Sequence, residues 1–357
     1  MVAWKIERMS TIDELLDLAR ADVDSGRLPA CQLAVAKDGE LVVFETFGAA
    51  TNQDRFCVFS ATKPIVASAI WLLLGEGKLA LSDLVATHIP EFASNGKDVV
   101  TVEQVLLHTS GFPMAPIATG EGATPEGRTR RFEQWRLDWE PGSRFEYHPA
   151  SAHYVLIELI ERLEGRDFRD VIEDRVCRPL GLPRLLGLPP DDQGHIARCV
   201  LLGAAAEATT MAGLTNPEEI AAGNPGGGGI MTAASLTLFY QGVLHNPGGL
   251  WDADVWKDAT SNIRCTLEEP LFGIPANRSI GLVIAGDDGR HFMRYGGFGP
   301  SSSPASFGHA GAFMQIGWAD PATGISFAYC HNGLYDDMMP DGVRGVALSD
   351  LAASLEL

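Results

Sequence analysis

Cys57-Val58-Phe59-Ser60-Ala61-Thr62-Lys63-Pro64 opens an apolar run that continues from Ile65 to Leu74, broken only by Ser68. Proline is tolerated in the first turn of a helix and breaks its interior. The segment Ile65–Gly77 therefore predicts a helix that starts within a few residues of Ser60. Ser60 then lies at a helix N-terminus, where unpaired N–H groups and the positive end of the dipole favour developing negative charge. Positions 60 and 63 share one helix face, so the Lys63 amine can reach the Ser60 hydroxyl. Two roles fit such a serine: a plain N-cap, or a nucleophile beside its amine. A second Ser-x-x-Lys, Ser94-Asn95-Gly96-Lys97, carries an Asn-Gly turn signal with no helix behind it and reads as loop.

A lysine beside a serine is not yet a base. With a reference pKa of about 10.4 it is charged at neutral pH unless it is desolvated or lies near another cation. A tyrosine can share the proton, since a nearby ammonium favours phenolate. Tyr147 stands in Pro141-Gly142-Ser143-Arg144-Phe145-Glu146-Tyr147-His148-Pro149, a turn and short extended segment ahead of a helix from about Ala150. From that loop it can project into a cleft or pack on the surface. The third element is Phe307-Gly308-His309-Ala310-Gly311-Ala312-Phe313, which leads into an apolar strand Phe313–Trp318. Glycine at 311 lets a substrate approach the backbone, and a strand-edge N–H beside it can donate to an oxyanion. An ordinary tight strand start has the same composition.

Working outward, Ile12–Arg20 has apolar residues at helical spacing behind Ser10 or Thr11 as N-cap. Two apolar segments then flank Lys37-Asp38-Gly39-Glu40, a hairpin signal. The other end of the chain mirrors this. Phe313–Trp318 and Ile325–Cys330 flank Asp320-Pro321-Ala322-Thr323-Gly324, and 343–357 reads as a closing helix. Between them Val102–His108, Ala150–Leu163, Phe168–Val176 and Ala233–Leu244 read as helices. The expected architecture is α+β: one antiparallel sheet built from both ends of the chain, flanked by terminal helices, with an inserted all-helical region. The expected division is a sheet domain of residues 1–78 with 276–357 and a mainly helical domain of 79–275.

Composition narrows the function. The 357 residues are 46% hydrophobic and 20% charged, an ordinary globular balance. A net charge of −19 repels phosphate backbones, so no nucleic-acid partner is expected. The charged, amphipathic N-terminus is not a signal peptide, and Ile65–Leu74 is too short to span a bilayer, so a cytoplasmic protein with no membrane partner is expected. The six cysteines have no paired spacing and read as reduced thiols. No Cys/His cluster has zinc-ligand spacing, so neither metal nor cofactor is expected. Asn224-Pro225 followed by Gly226–Gly229 lacks the lysine of a phosphate-binding loop and reads as a flexible loop lining the cleft. Cys57 reads as a buried thiol, and His108 as part of a helix end.

Taken in order, Ser60–Lys63, Tyr147–Pro149 and His309–Gly311 resemble the three motifs of the penicillin-recognising serine hydrolases: Ser-x-x-Lys, Tyr-x-Asn, and Lys-Thr-Gly or a His-x-Gly variant. The likeness is to class C β-lactamases, D,D-peptidases and family VIII carboxylesterases. It extends through residues 106–113, 226–244 and 309–332, roughly Leu28 to Asn332 in all. The resemblance implies Ser60 as acylated nucleophile, with Lys63 and Tyr147 sharing its proton and Tyr147 later activating water. It also implies an oxyanion hole from the N–H groups of Ser60 and Ala312, and a substrate-binding edge at His309, Ala310 and Gly311.

Two departures shape the expected substrate. Pro149 stands where the motif has asparagine, which removes an amide side chain; Ser151 and His153 are candidates to replace its contact. His309 stands where many relatives have lysine, which removes a permanent cation that holds the carboxylate of β-lactams and peptides. Both weaken the case for β-lactam or D-Ala-D-Ala substrates and are compatible with uncharged esters, so small or medium carboxylic esters are the expected substrates. Two alternatives stay open: a β-lactamase, D-amino-acid peptidase, amidase or acyltransferase on the same fold, and a catalytically silent relative that serves as a binding module.

Overall fold

Six strands form one antiparallel sheet in the computed structural model, which describes residues 11–203, 206–335 and 339–357. The strands are β1 Ala30–Lys37, β2 Glu40–Gly48, β3 Val283–Ile284, β4 Phe307–Gly308, β5 Ile316–Asp320 and β6 Ile325–His331. Their spatial order is β2-β1-β6-β5-β4-β3. The two ends of the chain meet at the centre, where Cys31 pairs with His331 and Lys37 with Ile325. Asp38 and Gly39 both have positive φ, 54° and 84°, the geometry that a two-residue hairpin turn requires.

Period-two alternation gives the sheet two faces. Leu33, Val35, Trp318 and Phe327 pack with Leu15 and Ala19 of α1 (Ile12–Asp24) and with Leu348 and Ala352 of the closing helix Met339–Ala353. Thr11 caps α1: its hydroxyl accepts from the Glu14 N–H at 3.2 Å and its own N–H donates to the Glu14 carboxylate at 3.1 Å. On the other face Ala34, Ala319 and Ala328 pack with Leu236, Phe239 and Tyr240 of the helix Ala233–His245. Gly317 makes this approach possible, since a Cβ there would lie 2.6 Å from the Tyr240 ring. That helix falls within the stretch expected to be the helical domain, yet it covers the sheet. A Thr-capped amphipathic helix carries no local mark of which layer it joins.

The helix that follows Ser60, α2 (Lys63–Gly75), is buried on all sides from Lys63 to Leu73. An all-round apolar helix belongs in a core. It packs on α3 (Ser151–Glu164), and Trp71 meets Trp251 edge to face at 5.6 Å. The two indoles donate to the Ile280 and Ser68 carbonyls at 2.7 and 2.9 Å, so neither buried N–H is left unpaired. Among the described residues no helix is long and apolar enough to cross a membrane.

Two local expectations are corrected. The strand expected from Phe313 begins only at Ile316, because residues 312–314 form a tight turn with Phe313 and Met314 at φ 57° and 58°. The helix expected over 168–176 is α-helical to Ile172 and then widens into a π turn over Glu173–Cys177.

Candidate active site

Ser60 occupies the 3-10 turn Phe59–Thr62 that leads directly into α2, with Pro64 in the helix's first turn. Its hydroxyl does not cap the helix. Instead it accepts a 3.1 Å hydrogen bond from Lys63 Nζ, which removes the N-cap reading. Lys63 Nζ also donates to the carbonyls of Pro149 at 2.7 Å and Gly226 at 2.6 Å. Its three partners are therefore neutral oxygens, and no carboxylate pairs with it among the described residues. Lys63 is 1% exposed, and burial pushes its ammonium well below the ordinary lysine range, with the Arg278 charge adding to the effect.

The missing asparagine is thus replaced by main chain. The Pro149 carbonyl takes the contact on Lys63, whereas Ser151 turns away to the Phe112 and Pro113 carbonyls at 2.9 and 3.1 Å. His153 lies beside Lys63 but stacks on His108, ring centres 6.0 Å apart. Neither Ser151 nor His153 supplies the asparagine's contact. The glycine run, expected to be flexible, is buried and threaded between the nucleophile turn and the tyrosine loop. Val58 N–H donates to the Gly229 carbonyl and Gly229 N–H to Thr62 Oγ1. A Cβ on Gly226 would lie 2.7 Å from the Pro149 oxygen, so glycine there lets two Lys63 acceptors converge.

Tyr147 lies over the Lys63 amine, which is 5.0 Å from its ring centre. Its hydroxyl is buried and makes no regular hydrogen bond. Burial raises its pKa above the ordinary tyrosine value, and Arg278 and then the neighbouring Ser60 hydroxyl work in the opposite direction. The expectation that a nearby ammonium would make this phenol a ready phenolate is therefore corrected: both Lys63 and Tyr147 favour their neutral forms. Tyr147 is fixed by stacking on Tyr295, centres 5.2 Å apart and planes 20° apart, and against His108 at 4.9 Å.

The third motif arrives from β4. His309 N–H donates to the Gly317 carbonyl, Ala310 N–H to Tyr295, and Gly311 N–H to Gln315. These three main-chain donors are committed, which leaves Ala312, first residue of the 312–314 turn, with an N–H that has no acceptor inside that turn. Ser60 is the second residue of the Phe59–Thr62 turn, within the stretch whose N–H groups also lack an acceptor inside the turn. The two segments touch: a Cβ on Gly311 would sit 2.1 Å from the Val58 carbonyl oxygen and 3.1 Å from Ser60 N. Phe59 and Phe313 pack ring on ring at 5.7 Å across the junction. Phe59, Phe313, Met314 and His108 all have positive φ, at 44°, 57°, 58° and 58°. Each costs about 1–3 kcal/mol, and strain concentrated around one point is held by the surrounding packing.

His309 is buried, its Nδ1–H donating to the Ala310 carbonyl at 2.7 Å. Burial holds its pKa well below the ordinary histidine value, reinforced by Arg278 and Lys63, so it is a neutral ring 5.9 Å from Tyr147. The structure therefore gathers Ser60, Lys63, Tyr147, His309, Ala310, Gly311 and Ala312 at one place. Sequence reasoning missed the carbonyls of Pro149 and Gly226, and it missed Arg278. Main-chain acceptors carry no residue signature, and Arg278 stands in Ile274–Ile284 with no motif around it. The second Ser-x-x-Lys also closes, with Lys97 Nζ 3.2 Å from Ser94 Oγ, but that amine binds the Ser94 and Trp135 carbonyls, and among the described residues no tyrosine bonds to it.

Comparison with known proteins identifies the fold and the family. The family model described as Beta-lactamase matches residues 15–350. The chain is 27% identical to the esterase/beta-lactamase LipL of Mycobacterium tuberculosis over 79% of its length and 70% of that protein's. Among solved structures, a penicillin-binding protein homolog from Caulobacter crescentus aligns with TM-score 0.77 and 24% identity over 98% of this chain and 99% of that one. A family VIII carboxylesterase aligns with TM-score 0.76 and 22% identity over 96% and 98%.

Proposed function

The chain belongs to the beta-lactamase family, and from that membership we propose a serine hydrolase that cleaves small or medium carboxylic esters through an acyl-enzyme on Ser60. The observation that carries this reading is Lys63 Nζ at 3.1 Å from the Ser60 hydroxyl, buried and without a carboxylate to hold its proton. A neutral amine is a base; a salt-bridged ammonium is not.

The reaction runs in two halves. Ser60 Oγ attacks the ester carbonyl as its proton passes to Lys63. The N–H groups of Ser60 and Ala312 receive the oxyanion, each such donor contributing about 10²–10³ in rate. The Tyr147 hydroxyl protonates the leaving alkoxide, the Lys63 proton restores Tyr147, and the alcohol departs. Water then attacks the acyl-enzyme, giving a proton to Tyr147 and Lys63. Collapse of the second tetrahedral intermediate returns that proton to Ser60 Oγ and releases the acid. His309 and Ala310 wall the site. A neutral His309 offers no charge to a substrate carboxylate, which supports an uncharged ester over a β-lactam or D-peptide.

Replacement of Ser60 by Ala tests the reading on a short-chain p-nitrophenyl ester: turnover is lost in a folded variant, and full retained turnover refutes it. A second reading, lactam hydrolysis, draws support from the name of the mycobacterial relative, an esterase/beta-lactamase. Nitrocefin turnover equal to ester turnover would favour it.

A further inference from the structure

Arg278 is 2% exposed, yet its side chain makes no hydrogen bond and no ion pair among the described residues. Its Nε and one terminal nitrogen are fully buried without a partner. The guanidinium instead packs on three rings, with centres at 5.3 Å for Tyr147, 5.5 Å for Phe145 and 5.9 Å for Tyr295. Glu269 faces it, but that carboxylate is occupied by the N–H groups of Leu271 and Phe272 at 3.0 and 2.9 Å. A buried cation whose guanidinium has no hydrogen-bonded counter-ion among the described residues is a large cost that folding alone does not explain. The backbone holds it rigidly: Arg278 exchanges hydrogen bonds with Cys265, and Ser279 Oγ donates to the Ala259 carbonyl. The cavity between Arg278, Phe145, Phe272 and Arg294 is about 10 Å³, room for one water at most.

We propose that Arg278 is a positioning residue for ester cleavage: the permanent positive charge that favours the unprotonated Lys63 amine and the ionised Tyr147 oxygen as the proton moves between them. This rests on the reading of Ser60 as nucleophile. Two basic groups approach the Tyr147 ring, Lys63 Nζ at 5.0 Å and the Arg278 guanidinium at 5.3 Å from its centre. An arginine stays charged at every working pH, so its repulsion falls on the lysine, which yields its proton. The other titratable groups facing this pair are His108, His148, His153 and His309, with Tyr295 and Cys265 beyond them. All four histidines are held neutral by burial, and the Glu269 carboxylate beyond Arg278 and Tyr295 is turned to the Leu271 and Phe272 amides, so Arg278 supplies the lasting positive charge beside the Lys63–Tyr147 pair.

The test compares Arg278→Met and Arg278→Lys with the unmodified protein in kcat/KM against pH on a neutral ester, with Tm beside it. In Arg278→Met the acid limb moves to higher pH by about one unit or more, and kcat/KM at pH 7 falls about tenfold. Its Tm is equal or higher, since an apolar chain of similar length replaces an unpaired charge. Arg278→Lys returns the limb toward its original position. A limb unmoved in Arg278→Met overturns the proposal, as does a higher KM confined to a hemisuccinate ester, which would make Arg278 a carboxylate contact. If Arg278→Met does not fold, Arg278→Gln against Arg278→Lys decides on the same limb. Failure of a fluorophosphonate to label Ser60 in the unmodified protein would sink the parent reading instead, and is scored separately.

Discussion

The carbonyl oxygen of Pro149 accepts a 2.7 Å hydrogen bond from Lys63 Nζ, the contact for which the family motif provides an asparagine side chain. A main-chain acceptor is indifferent to the side chain that carries it. Pro149→Ala is therefore expected to keep kcat/KM within about threefold of the parent, because Pro149 is exposed and its bond to Lys63 is made by the main chain. Lys63→Ala, by contrast, removes the base and lowers kcat by about 10³ or more. Parallel ester kinetics on the two variants check this, and a Pro149→Ala variant as inactive as Lys63→Ala would show that the proline ring itself matters.

The pH profile follows from the direction of the Lys63 shift. Rate tracks the unprotonated amine, so kcat/KM rises with pH through the folded pKa of Lys63 and levels above it. Burial and Arg278 place that pKa well below the ordinary 10.5. The rising limb is therefore expected on the acid side of the ordinary lysine titration. A limb centred at the ordinary lysine value, or a rate independent of pH, would remove Lys63 as base.

The elements legible in the sequence are those fixed by local chemistry. Thr11 and Glu14 cap α1, Asp38-Gly39 turns the first hairpin, and Pro64 sets the start of α2. The order of the three motifs followed from residue types alone. What stayed hidden depends on partners distant in the chain. Lys97 and Lys63 share the Ser-x-x-Lys spacing; the Asn95-Gly96 turn separates them locally, but the carbonyls of Pro149 and Gly226 and the ring of Tyr147 that complete the site at Lys63 are remote in the chain. Glycine composition at 226–229 reads as flexibility, whereas tertiary packing makes it close approach. Arg278 is invisible for the same reason: the cost of its burial exists only once Phe145, Tyr147 and Tyr295 surround it.

Four buried histidines make the fold acid-sensitive. His148 shows how: its Nδ1–H donates to the Glu146 carbonyl at 2.6 Å while Nε2 accepts from the Phe112 N–H at 3.3 Å, so protonation would destroy an acceptor. Burial lowers its pKa to about 3, and His108, His153 and His309 shift in the same direction. Each has a folded pKa below its unfolded one, so the unfolded chain binds more protons as pH falls from 6.5. Stability is fully present above that value and is lost toward pH 3, at about 1.4 kcal/mol per unit for each histidine that stays neutral. Thermal melts should show Tm falling steeply from pH 6.5 to 4.5. A Tm constant over that interval would mean these rings are charged in the folded state.

Gly311 tests the oxyanion geometry directly. A Cβ at this position would lie 2.1 Å from the Val58 carbonyl oxygen, a clash with backbone that no side-chain rotation relieves. The 311–313 segment must then move away from the Phe59–Thr62 turn and take the Ala312 N–H with it. Gly311→Ala is expected to lower kcat by about 10²–10³, the cost of one lost oxyanion donor. KM should change little, because the donor acts on the transition state. Gly324→Ala serves as the comparison: its φ of 73° is strained for alanine, but nothing lies within 4 Å of the added carbon and the turn is remote from Ser60. It should lose stability by about 1 kcal/mol and keep its kcat. Unchanged kcat in a folded Gly311→Ala variant would mean that the Ala312 amide takes no part in the reaction.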